Sequence, residues 1–139
     1  MTHDRKDYPL AETRPGSVTG KRGKALSGIT LDAVLAGEVT MEDLRITPRA
    51  LQAQAEIAED VGRRTLAANF RRAAELVDVP QDFIMEVYEL LRPGRAVSAQ
   101  PLLEAAEKLR SEYGATSMAD FVAEAARTYE ERGLFKYRF

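Results

Sequence analysis

The sequence has no cysteine, no tryptophan and a single histidine. Without cysteine there is no disulfide, no thiolate zinc site, no iron-sulfur cluster and no thiol nucleophile, and the redox compartment stays open. The one histidine, His3, lies close to the end of the chain, where a Ser-His-Asp triad or a multi-histidine metal site would have nothing to anchor it. No stretch approaches the roughly 18 consecutive apolar residues that cross a bilayer, and the opening Met1-Thr2-His3-Asp4-Arg5-Lys6 lacks the apolar segment of a signal peptide. A cytoplasmic protein without a membrane partner is expected. With 20 Lys and Arg against 22 Asp and Glu, the net charge of -2 removes the broad positive field that non-specific nucleic-acid binding needs.

What is present suits one small helical protein. At 139 residues, 45% hydrophobic and 30% charged, the chain can bury a core. Residues 1–28 carry Pro9, Pro15, Gly16, Gly20, Gly23 and Gly28 and read as an extended N-terminal arm. Up to Lys24 the arm has six basic residues against three acidic ones, +3 in all, which suits lying across a partner. A helical domain over 29–133 and a tail over 134–139 follow. Thr30 and Gly37 bracket a short helix whose Leu31, Val34 and Leu35 share a face, and Thr40 with Asp43 forms a capping box for a single turn. Both pieces are too short to stand alone and are expected to dock on the next element. That element starts with Thr47 as cap and Pro48 at the first helical position, and no proline recurs before Pro80. It reads as one long central helix over about 48–77, bent at most at Gly62.

Along this helix one apolar stripe runs through Leu51, Ala55, Ala58, Leu66, Phe70 and Ala73, and a second through Ile57 and Val61. Together they cover about 220° of the circumference, more than a helix resting on a single core needs. The main stripe is therefore assigned to the core and the second, Ile57 with Val61, to a partner. Asn69, beside Phe70 on the main stripe, is expected to be buried and hydrogen bonded. Helices over about 81–91, after Ser98 to Gly114, and from the box Ser117/Asp120 to Gly133 complete an all-α fold, a small bundle around the long helix.

Candidate chemistry is sparse. Gly16-Ser17-Val18-Thr19-Gly20-Lys21 has three residues between its glycines where a phosphate loop has four, Arg22 in place of the magnesium-binding hydroxyl, and no strand ahead of it. Arg63, Arg64, Arg71 and Arg72 could bind an acidic partner, or could pair with Glu59, Asp60 and Glu75 on a solvated face. The carboxylates are too evenly spread to nominate an acid-base pair or a metal cluster. No catalytic, cofactor-binding or metal residue is assigned.

Several ordered blocks nevertheless resemble one family. Asp7-Tyr8-Pro9-Leu10-Ala11, Ile29-Thr30-Leu31 running to Val34-Leu35-Ala36-Gly37-Glu38-Val39, Arg45-Ile46-Thr47, Gln54-Ala55, Asn69-Phe70-Arg71-Arg72-Ala73-Ala74-Glu75-Leu76 and Leu91-Arg92-Pro93 resemble the small (gamma) subunit of adenosylcobalamin-dependent diol and glycerol dehydratases. The resemblance implies a heterohexamer with two copies each of a large, a medium and a small subunit. Substrate lies in the large subunit, and adenosylcobalamin is bound by the other subunits. The complex would convert propane-1,2-diol to propanal, or glycerol to 3-hydroxypropanal, with loss of water. This chain would be its non-catalytic small subunit, packing on the large one through Tyr8, Pro9, Leu10, Ile57, Val61, Arg71 and Arg72. Association with a bacterial microcompartment is compatible with the family, but only six residues precede Asp7, so a targeting extension is not expected. The alternative is a free-standing helical binding module for nucleic acid or an acidic protein.

Overall fold

A computed structural model describes residues 2–136. Among them all regular structure is helical, apart from one antiparallel bridge between Thr19 and Ala25. The all-α fold class therefore holds. The chain divides into two compact units, Met1–Val77 and Asp78–Phe139, so the boundary falls inside the stretch read as one helical domain.

The first unit contains α1 (Leu10–Thr13), α2 (Leu31–Leu35), α3 (Met41–Leu44), α4 (Pro48–Asp60) and α5 (Arg64–Leu76). The expected long helix is thus two helices, and this corrects the central feature of the sequence reading. Helix α4 starts as anticipated, with the Thr47 hydroxyl accepting from the Ala50 N–H and Pro48 in the first turn. It stops because Gly62 takes φ +78°, a conformation other residues resist. The Arg63 N–H then donates to the Ala58 carbonyl and the Gly62 N–H to that of Glu59, a Schellman closure that satisfies the last carbonyls of α4. The chain turns back and α5 packs along α4 through Ala55, Ala58 and Ala67, with Phe70 against them. The wide apolar circumference has this cause: much of it faces the other half of the same segment.

The arm differs from expectation too. It is a succession of single turns, Arg5–Asp7, α1, Pro15–Ser17 and Leu26–Gly28, rather than an extended strand. Asp7 and Leu10 are buried, and Leu10 joins Ala53, Ile57 and Val18 in a cluster on α4. Helix α2 keeps both expected ends, the Thr30 hydroxyl accepting from the Ala33 N–H and Gly37 at φ +75°. It buries no residue, so its apolar face does not dock on the neighbouring element as the sequence suggested.

The second unit consists of α6 (Gln81–Leu91), α7 (Gln100–Tyr113) and α8 (Thr116–Glu131). Gly114, at φ +62°, closes the α7–α8 hairpin over Leu102, Leu109, Ala119, Val122 and Ala126. Helix α8 starts one residue ahead of the expected Ser117 cap, and Asp120 instead receives a 2.6 Å hydrogen bond from Arg110. Phe83 stacks on Tyr113 with ring centres 5.7 Å apart, and the Tyr129 hydroxyl donates to the Leu91 carbonyl, joining α8 to the end of α6. Phe135 packs edge-on against Tyr129. The rest of the aromatic tail, 137–139, lies outside the described residues.

Two glycines in the first unit have different reasons to be glycine, and substitution separates them. A Cβ on Gly62 meets nothing within 4 Å, so Gly62→Ala carries only backbone strain, about 1–2 kcal/mol. A Cβ on Gly20 would lie 2.0 Å from the Asp43 carbonyl oxygen, a backbone atom that cannot rotate away. Gly20→Ala should cost more, about 3 kcal/mol, by prising the arm off α3. Urea unfolding of the two variants checks the order; equal losses would refute the close approach.

Candidate functional site

Residues 3–24 are held by polar contacts, to the body and within the arm itself, whose donors mostly come from the arm. The His3 N–H donates to Glu56 Oε2 at 2.7 Å, and His3 Nδ1 lies equally close to the same oxygen. The Arg5 N–H donates to Asp60 Oδ2 at the end of α4. Arg14 Nε reaches the buried Asp7 at 2.6 Å, and the Thr13 hydroxyl donates to the Asp7 carbonyl. Farther along, Arg22 approaches Asp43 Oδ2 at 3.3 Å and the Lys24 ammonium donates to the Glu38 carbonyl. Asp43 is fully buried and closes the capping box of α3 by accepting from the Thr40 N–H at 2.9 Å.

Held this way, the arm forms one side of a groove of about 760 Å³ over the α4–α5 turn. Buried Ile57 and Ala58 and half-buried Phe70 lie deepest in it. Exposed Tyr8, Val61 and Leu66 also line it, at 66%, 49% and 38% accessibility, and Gln54, Arg5 and Arg63 supply polar groups. Such a surface can take in apolar side chains and offer hydrogen bonds at its border. A cis peptide joins Tyr8 to Pro9 beside it.

The structure brings several of the predicted interface residues together here, in altered roles. Tyr8 and Val61 line the groove from exposed positions. Pro9 is half-buried, and Leu10 is buried beneath the arm against Ile57. The assignment of the two stripes needs correcting: Ile57, given to the partner side, is 7% accessible, whereas Leu66, given to the core, is 38% accessible. Leu66 is re-aimed by the Gly62 turn that precedes it, whereas Ile57 lies ahead of that turn and is covered by Leu10 and Val18 of the arm. Arg71 pairs with Glu59 across the hairpin, and Arg72 donates to Asn69, which is exposed rather than buried. Both arginines therefore have contacts within their own unit. Sequence reasoning missed Leu66, Phe70 and Arg63 as groove residues; the signal for them was Gly62, read as a bend.

Among the described residues no grouping of three or more His, Cys, Asp or Glu is placed to hold a metal ion. No described helix is long and apolar enough to cross a membrane. An all-α chain with a groove that is apolar in its depth and polar at its border has the make-up of a protein that docks on another protein. Comparison with known sequences gives its family. Residues 3–136 match the family described as dehydratase small subunit, and the chain belongs to that family. It is 48% identical over 130 residues to the propanediol dehydratase small subunits of Citrobacter freundii and of Salmonella typhimurium (strain LT2), which covers 94% of this chain and 75% of each relative.

The clasp is acid-sensitive by construction. Hydrogen bonding from His3 lowers the pKa of Glu56, and the Thr40 N–H, helped by Arg22 and Lys24, lowers that of Asp43. A carboxylate depressed in the folded state stabilises fully above its ordinary value and ceases to do so as pH falls through the folded one. Stability should therefore drop on acidification below about pH 4. Asp43→Asn combined with Glu56→Gln should flatten that limb while lowering stability at neutral pH. Urea midpoints from pH 7 to 3 test this, and an unchanged slope in the double variant would contradict it.

Proposed function

We propose that this chain is the small subunit of an adenosylcobalamin-dependent diol or glycerol dehydratase, and that it packs on and stabilises the large catalytic subunit. The observation that carries the proposal is 48% identity across 94% of the chain to two propanediol dehydratase small subunits. The resemblance of the Asp7–Ala11, Ile29–Val39 and Asn69–Leu76 blocks supports the same reading. The complex would be a heterohexamer with two copies each of large, medium and small subunits. It would act on propane-1,2-diol, giving propanal and water, or on glycerol, giving 3-hydroxypropanal and water.

Adenosylcobalamin would supply the radical chemistry in such a complex and would be held by the other subunits. The sole histidine is engaged by Glu56, and no donor cluster occurs among the described residues. The contribution of this chain is mechanical. The proposed contact runs through Tyr8 and Val61, which line the groove, and includes Pro9, Arg71 and Arg72, while Leu10 and Ile57 hold its shape from below. A basic nucleic-acid surface is the weaker reading, because Arg14, Arg22, Lys24 and Arg71 each make contacts with acidic side chains or carbonyls of their own unit.

Co-expression with the large and medium subunits, followed by size exclusion and an aldehyde assay with added adenosylcobalamin, tests the proposal. The three chains should co-elute, and omitting this chain should lower the yield of active complex. Val61→Asp should reduce co-elution at least 10-fold, about 1.4 kcal/mol, with little change in the thermal midpoint of the free chain. Ile57→Asp should unfold the first unit. Failure of the wild-type chain to co-elute would overturn the reading.

A further inference from the structure

The segment from α2 through α3 is built in a way that its own chain does not explain. Leu31, Leu35 and Met41 are 72–77% accessible, and Val34, Leu44 and Ile46 are 45–54% accessible. Six such side chains within 16 residues together present on the order of 600 Å² of apolar surface, as much as the largest apolar patches of ordinary monomers. A standard interface draws roughly 800 Å² from each partner.

This exposure is not looseness. Thr30 caps α2, and Gly37 ends it with the same Schellman pair seen at Gly62: the Glu38 N–H donates to the Ala33 carbonyl and the Gly37 N–H to that of Val34. Between residues 26 and 46 only Val39 and Asp43 are buried. They pin the segment from below, Asp43 under Gly20 and Arg22, and Lys24 fastens the Glu38 carbonyl. A five-residue helix that buries nothing of its own is held with its leucines facing outward.

From this geometry we infer that the α2–α3 ridge is a second docking face, separate from the groove, and that it seats on an apolar patch of the large dehydratase subunit edged by basic groups. The inference rests on the proposed subunit role and adds a surface to it. Charge selects the occupant. Residues 29–46 contain Asp32, Glu38, Glu42 and Asp43 against one base, Arg45, which pairs with Glu42, and the residues Asp32 and Glu38 stand exposed on the same segment as the leucines. In a symmetric contact with a second copy those carboxylates would be brought toward their own kind, which disfavours self-association. A basic-edged partner surface would pair with them.

The test uses the full chain co-expressed with tagged large subunit, with and without the medium one. Leu31→Glu with Leu35→Glu should leave the thermal midpoint of the free chain within about 2 °C, since both positions are exposed. The same pair should lower recovery with the large subunit at least 10-fold. Asp32→Lys with Glu38→Lys should slow association and weaken its salt dependence. Wild-type recovery of the Leu31/Leu35 variant would overturn the inference while leaving the subunit role intact. So would a concentration-dependent dimer of the free chain that this variant abolishes, or recovery that needs the medium subunit alone. If the wild-type chain is not recovered at all, the subunit role fails and the inference with it.

Discussion

The first unit depends on one left-handed residue. With Gly62 at φ +78° the two 13-residue helices lie against each other, and the alanines on both sides permit a close approach that larger side chains would block. The groove and the pairing of Arg71 with Glu59 are both consequences of that reversal. A straight helix through Val61 and Gly62 would carry Leu66 and Phe70 about two and a half and three and a half turns beyond Ile57, about 13–20 Å along the axis, and no common concavity would exist.

Much of this was legible from residue types because local chemistry decides it. Caps at Thr30, Thr40 and Thr47, Pro48 at a helix start and stops at Gly37 and Gly114 need only neighbouring backbone groups, and each occurs where the sequence placed it. The misreadings share a different cause. Arg63 ahead of α5 makes no side-chain cap, so nothing announced a new helix, and one stripe of apolar residues appeared to run on through the turn. The Ser117/Asp120 box is a sequence pattern that α8 does not use, because Asp120 is taken by Arg110 on the neighbouring helix. Burial of Ile57 by the arm could not be read from periodicity, since the arm is distant in sequence and has no periodic pattern.

The positive balance of the arm also changes meaning once its partners are visible. Of its six basic residues, Arg14, Arg22 and Lys24 are directed at Asp7, Asp43 and the Glu38 carbonyl, and the His3 and Arg5 backbone donates to acids of α4. A segment that looked like a cation seeking an external anion spends much of its charge inside its own unit. What remains to be offered to another protein is largely apolar, which accords with a subunit held by burial and only guided by charge.

The two units differ in what they bury. In the second, Leu102, Leu109 and Val122 are essentially inaccessible and form an ordinary apolar core. In the first, the one large side chain buried to that degree is a carboxylate, Asp43, and most of the buried positions on α4 and α5 are alanines. An alanine contributes about one methyl group to the hydrophobic term, roughly 0.8 kcal/mol, where a leucine contributes about three times as much. Unit one therefore derives less from its interior than its length would allow, while Leu31, Leu35, Met41, Val61 and Leu66 remain accessible. If a partner covers them, as proposed, association supplies the apolar burial that the fold leaves undone. Folding and assembly of this unit are then linked by mass action, because whatever binds the native form alone raises its stability.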